Sequence, residues 1–244
     1  VINLDGAAKR WSHIEATFTA AGLRFERVPA IDGRALDIRP AQYSEHDYRR
    51  RHGRQTNPPE IGCYLSHLKA IATFLETDAE LALICEDDVT IGPDIAAVLE
   101  KIADAPRDWN ILRLTGLSEA HPLGVRPVLA GYFLCINFAR FKGTGAYVID
   151  RKAARAFTSE LLPMKLPYDH AIDREWLLGL AAASVLPFPI TQKQKRFGSS
   201  IQTYAQPKLP MWRRCLTTYP YQALNEVSRW IFRAALFLRL KVFS

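Results

Sequence analysis

The sequence has four cysteines, and they form no recognisable pattern. Cys63, Cys85, Cys135 and Cys215 are far apart and include no C-x-x-C pair, which excludes a zinc ribbon or a disulfide framework. They read as buried or incidental thiols of a reducing compartment. No run of ~18 uninterrupted apolar residues occurs, so a conventional transmembrane span is not expected. Low-complexity blocks are missing too, which excludes collagen-like and disordered classes. Three familiar phosphate or nucleophile signatures are absent: GxxxxGK[ST], a GxGxxG after the first strand, and GxSxG. Acids are nearly missing from residues 207–244, where Glu226 stands against seven Lys and Arg. The whole chain carries +7, the tail alone +6, and residues 1–206 only +1. A basic protein suggests nucleic acid or an anionic membrane. With the body close to neutral and no reading motif in the tail, no nucleic-acid partner is expected.

What is present is 244 residues, 48% of them hydrophobic, enough to bury a large core without covalent staples. The spacing predicts a domain over 1–206 and a helical tail over 207–244. Short apolar strands alternate with helical stretches, the signature of an α/β fold with a mainly parallel sheet. Val1–Leu4 reads as a strand, so residues are expected to precede it. A helix is expected over 7–21, a strand over 24–28, and a surface helix or loop over 40–53 that contains Arg49, Arg50 and Arg51. Pro58 and Pro59 should open a helix running to about Glu76. Leu81–Cys85 is a continuous apolar run, as in a central strand buried on both faces. Further helices are expected over 94–103, 151–161 and 168–182, with 189–207 as a linker or mobile loop. In the tail, Leu224, Val227, Ile231, Ala234, Ala235 and Leu238 share one helical face, and Arg229 and Arg233 the other. That pattern fits a peripheral anchor on an anionic leaflet, and equally a helix packed on the core or in a dimer.

The strongest chemical signal is Glu86-Asp87-Asp88, at the end of the Leu81–Cys85 strand. Ligands of open α/β sheets bind beyond the carboxyl ends of the strands. Three adjacent carboxylates repel unless a cation or basic partners compensate them, and Mg²⁺ or Mn²⁺ prefers such oxygen ligands together with phosphate. The same acids would also serve as a helix cap and solvated charge. His67, on an apolar helix face behind Ser66, is more often structural than catalytic in such a place. Asp169 and Asp173 lie at a helix start, where Asp is ordinarily a cap, although a carboxylate there could take a proton from a sugar hydroxyl.

Taken in order, Ile2-Asn3-Leu4 with Arg10 and Trp11, Ala30-Ile31-Asp32-Gly33, Glu60-Ile61-Gly62-Cys63 with Leu65-Ser66-His67, the Glu86-Asp87-Asp88 triplet, Gly143-Thr144-Gly145-Ala146-Tyr147 and Pro167-Tyr168-Asp169 resemble glycosyltransferase family 25. That family includes the bacterial lipooligosaccharide galactosyltransferases and the collagen galactosyltransferases. The likeness covers roughly residues 1–190. It implies a GT-A (Rossmann-like) fold, a UDP-sugar donor (most often UDP-galactose), Mn²⁺ or Mg²⁺, and inversion at the anomeric carbon. By the same resemblance Asp88 would be the metal ligand. Asn3, Leu4, Arg10, Asp32, Glu86 and Asp87 would line the nucleotide-sugar pocket together with Ser66 and His67. Asp169 would be the base, with Asp173 as the fallback. The expected acceptor is an oligosaccharide or lipid-linked saccharide of the lipopolysaccharide type, and the expected location the cytoplasmic face of the inner membrane. A Mg²⁺-dependent nucleotidyl- or phosphotransferase and a non-catalytic carbohydrate- or membrane-binding relative are the alternatives.

Overall fold

The computed structural model describes residues 1–105, 108–192 and 206–242. Most of the expected 189–207 loop therefore lies outside the described residues. The chain begins with β1 (Ile2–Asn3), α1 (Ala8–Ala20), β2 (Val28–Pro29), α2 (Glu45–His52), α3 (Pro58–Leu75), β3 (Leu81–Cys85) and β4 (Val89–Ile91). It continues through α4 (Ile95–Asp104), β5 (Ile111–Arg113), β6 (Pro122–Leu129), β7 (Tyr132–Asn137), β8 (Ala146–Asp150), α5 (Arg151–Glu160) and α6 (Tyr168–Ile172). After a 3₁₀ turn at Glu175–Leu178 come β9 (Ala182–Leu186), β10 (Ile190–Gln192), α7 (Met211–Leu216) and α8 (Thr218–Val242).

The α/β class holds, but the sheet is not mainly parallel. Its six strands run in the order β3-β8-β5-β9-β7-β6, and of the five neighbouring pairs only β5 and β9 are parallel. Two devices reverse the direction. The β6–β7 hairpin turns at Gly131, where φ is +85°, a conformation that favours glycine. In addition, β8 inserts antiparallel between β3 and β5. Alternating helical and apolar segments reveal the element types but not the strand direction, which is set by pairing partners distant in sequence.

A second correction concerns β3. It is an edge strand of this sheet rather than a central one, and its first three residues are only partly buried. Its far end is covered by the small parallel β1–β2 ribbon, through a bridge between Ile2 and Glu86. The helix expected over 168–182 is also shorter. It stops at Ile172, and the following 3₁₀ turn ends on Gly179 with φ +61°.

Helices cover both sheet faces, and β8 shows why. Its Tyr147 and Ile149 join a core with Ile61, Ile71 and Phe157 from α3 and α5. The intervening Ala146 and Val148 join Ile14, Val98 and Leu236 from α1, α4 and α8. Successive strand residues point to opposite faces, and each fully buried Ile or Phe contributes about 1.5–3 kcal/mol. Near the end of β3, the loop after β2 crosses α3 at backbone contact. A Cβ on Gly62 would lie 2.4 Å from the Gly33 nitrogen, and one on Gly33 would lie 1.8 Å from the Pro58 oxygen. The Ser66 hydroxyl locks this crossing, accepting from Ile31 N (2.8 Å) and donating to Gly62 O (2.6 Å).

Helix α8 does have one apolar and one arginine-bearing face, but its orientation is unexpected. Arg229 and Arg233 point into the body and are almost wholly buried, while Leu224, Val227, Ile231 and Leu238 face outward. Among the described residues, no helix is long and apolar enough to cross a membrane.

Candidate active site

The three acids leave the end of β3 with different partners. Asp87 is buried and clamped, accepting from Asn3 Nδ2 at 2.7 Å and from Arg10 Nη1 at 3.1 Å. Glu86 accepts from Thr144 Oγ1 (2.9 Å) and Gln192 Nε2 (3.1 Å), and His67 Nε2 lies 3.4 Å away. Burial pushes the Glu86 carboxyl up, but His67, Thr144 and the Arg10 charge outweigh it and hold the group below its ordinary value. Asp88 is buried and accepts from Gln192 Nε2 at 3.0 Å. Burial, with the charges of Glu86 and Asp87, pushes it up to about 6. Of the three carboxyls, Asp88 therefore carries the least compensated charge.

Glu86 and Asp87 form one wall of an open cleft. Asn3, Leu4 and Arg10 form its second wall, and Asp32, Ser66 and His67 line it as well. The structure thus brings together eight of the residues singled out in the sequence, whereas Asp88 lies outside this lining. Asp32 is held by the Arg34 guanidinium, which lowers its carboxyl to about 2. His67 is fixed on three sides: it stacks on Tyr168 with centroids 4.2 Å apart, its Nδ1 lies 3.0 Å from the Tyr147 hydroxyl, and its Nε2 faces Glu86.

Asp169 lines a neighbouring cleft with Tyr48, His52, Asn57, Glu60 and His170. It accepts from the backbone N–H of Gly143 at 3.2 Å and from that of His170 at 2.8 Å. The turn 143–145 therefore connects both clefts. Gly143, with φ +90°, holds Asp169; Thr144 holds Glu86; and Gly145 O accepts from Glu86 N at 2.8 Å. Cys63 lines the first cleft. Burial, together with the charges of Glu86, Glu60, Asp169 and Asp88, pushes its thiol well up, so four carboxylates lie within electrostatic reach of one sulfur.

A family model described as glycosyltransferase family 25 (LPS biosynthesis protein) matches residues 1–122, which is half of the chain. The chain belongs to glycosyltransferase family 25. A glycosyltransferase 25 family member of Drosophila pseudoobscura pseudoobscura is 30% identical over 223 residues, covering 78% of this chain and 34% of the relative. One of Aedes aegypti is 27% identical over 151 residues, covering 54% and 24%. The matched region spans about a third or less of each relative's length.

In this member of the family Asp173, the fallback base of the sequence reading, is a structural anion. It is fully buried and pairs with Arg233 (2.8 Å), Arg229 (3.1 Å) and Arg113 (3.2 Å), while also accepting from Phe141 N. Burial pushes its carboxyl up, but the three arginines outweigh it and hold the group below its ordinary value. With every side occupied it has no lone pair left for a substrate proton.

Cys63, His67 and Glu86 form a compact trio of potential ligands, with donor atoms within 4.8 Å of one another. Their mixed sulfur, nitrogen and oxygen donors suit softer metals than Mn²⁺ or Mg²⁺. The excess charge at Asp88 suits a hard cation better. The sequence reading missed Arg34, Gln192 and the acid-linking role of the 143–145 turn. Gln192 carries no signal, being 104 residues from the Asp88 it bonds. The turn did have one, a Gly-Thr-Gly before a strand.

Glu60 is the other carboxyl in the Asp169 cleft. It accepts from the Tyr48 hydroxyl, yet burial and the Asp169 charge raise it from 4.5 to about 7. A raised acid binds more protons when folded, so stability is highest below pH 4.5 and falls as pH rises towards 7. The loss is at most about 3 kcal/mol. Glu60→Gln is expected to flatten this part of the pH profile, which urea midpoints at pH 5 and pH 7 would measure. An unchanged slope would place the ionisation elsewhere.

Proposed function

We propose that the chain is an inverting, metal-dependent hexosyltransferase that moves a sugar, galactose being the expected one, from a UDP-sugar to a hydroxyl of a lipopolysaccharide-type acceptor. The observation that carries this reading is the turn 143–145, which holds Asp169 and Glu86 by adjacent residues. A donor in the first cleft and an acceptor in the second would then meet across one rigid connection. Such pre-orientation is a large part of catalysis by positioning.

In this reading the Arg10 guanidinium faces donor phosphate, and Asp32 and the loop after β2 lie beside the nucleoside. Asp169 accepts the proton of the acceptor hydroxyl as that oxygen forms its bond to the anomeric carbon. The bond from that carbon to the diphosphate breaks, and the diphosphate leaves with the electron pair. A Mn²⁺ or Mg²⁺ ion held by Asp88 would supply charge neutralisation to the departing diphosphate. The Asp87 charge is already met by Arg10, and Asn3 adds a hydrogen bond, so the part of Asp87 is to fix the end of β3.

Asp88→Asn is expected to lower Mn²⁺-dependent UDP-galactose turnover by at least about 10²-fold. Steady-state assays with and without chelator would measure it. Full activity in the variant would remove Asp88 as the metal ligand.

A further inference from the structure

Two sequence features remain outside the catalytic site: the arginine run of α2 and the basic tail. The structure places them together. We infer that α8 and the groove at its N-terminal end form a docking surface for an anionic phospholipid bilayer, with the helix lying in the membrane interface.

On α8 the outward stripe of Leu224, Val227, Ile231, Leu238 and Val242 contains no charged residue, and its members are 58% to 71% exposed. It extends about 27 Å at 1.5 Å per residue. A continuous apolar strip of this length on a protein surface marks an interaction site. The stripe cannot rotate inward, because Arg229 and Arg233 on the opposite face are pinned to Asp173 and Glu175 inside the body.

The surrounding charge indicates what covers it. Lys208, Arg213, Arg239 and Lys241 are exposed around the stripe's two ends. The tail's single acid, Glu226, is already paired with Arg140 and Arg229. At the start of α8, a groove of about 500 Å³ is lined by Arg50 and by Arg49, which pairs with Glu45 of the same groove at 2.9 Å, all on α2, and by Trp212, Arg213 and Leu216 of α7, so three guanidinium groups face one carboxylate there. Guanidinium groups above an apolar wall suit a phosphodiester headgroup and the upper part of its acyl chains. A two-fold dimer through the same stripe would instead set each basic tail against its copy, since such interfaces are self-complementary. An anionic leaflet supplies the opposite charge and attracts each exposed Lys or Arg near its surface.

The test is co-sedimentation of the full chain with vesicles of phosphatidylcholine alone or mixed with phosphatidylglycerol. Binding is expected only to the anionic vesicles and should weaken as salt is raised. Ile231→Asp with Leu238→Asp should lower the affinity at least about tenfold, with an unchanged urea midpoint showing that the fold is intact. An Arg49→Ala, Arg50→Ala double variant should also bind more weakly. Lack of vesicle binding by the wild-type chain, or undiminished binding by the Asp variant, would overturn the proposal. So would a wild-type dimer that the Asp variant dissociates while neither form binds vesicles.

Discussion

Asp169→Asn is expected to lower kcat by about 10²–10⁴-fold, the usual contribution of a positioned general base, with the affinity for UDP nearly unchanged. The Gly143 and His170 N–H groups donate to separate carboxylate oxygens, so asparagine, with one oxygen, keeps one of these two bonds while matching the shape of the side chain. What it loses is the ability to take a proton. The Asp169 cleft and the proposed donor cleft share no lining residue, and this is why kcat and donor binding should separate. Single-turnover rates and UDP calorimetry on the same preparation would check both. If kcat fell by less than about threefold, the base would lie elsewhere. Glu60, in the same cleft and raised to about 7 by burial and the Asp169 charge, would be the first alternative.

The second large effect is on stability. Asp173→Asn is expected to cost about 3–5 kcal/mol, the loss typical when one partner of a buried ion pair is removed. In this interior Arg113, Arg229 and Arg233 face Asp173, Glu175 and Glu226. Removing Asp173 leaves Arg113, Arg229, Arg233 and also Arg140 on two carboxylates, Glu175 and the part-exposed Glu226, and burial already disfavours the charged forms of Arg113 and Arg229. Equilibrium urea unfolding would give the difference. A loss below about 1 kcal/mol would mean that the cluster tolerates the imbalance through water. Because Asp173's carboxyl is held below its ordinary value, its contribution is present above pH 3.8 and fades as the pH falls through its folded-state value. Truncation before α8 should be similarly damaging, since it removes Arg229 and Arg233 and leaves Asp173 and Glu175 buried with Arg113. Point changes on the outward stripe are therefore the better probe of the tail.

The sequence was most legible where chemistry is local. Three adjacent acids after an apolar run marked the end of β3, Pro58 and Pro59 marked the start of α3, and the charge count isolated the tail. Ordered short motifs led to the family, and eight of the residues they named line one cleft, with Asp88 outside that lining and Asp169 in the neighbouring cleft. The parallel sheet was misread because strand direction depends on pairing partners far apart in sequence, such as Leu83 with Val148. The helix after Asp169 was overextended: it stops at Ile172, beside Asp173 and Glu175 that are tied to arginines of the distant α8, and the next turn ends on Gly179 with a positive φ.

For α8 the sequence by itself determined the two faces, since 3.6-residue periodicity is a local property. Only the tertiary structure decided which face turns inward. Arginines are ordinarily expected in water, and here they are buried because Asp173 and Glu175, more than fifty residues upstream, lie ready to pair with Arg233. A buried charge is tolerated where its partner is already in place, and that partner is supplied by the fold rather than by the neighbouring sequence.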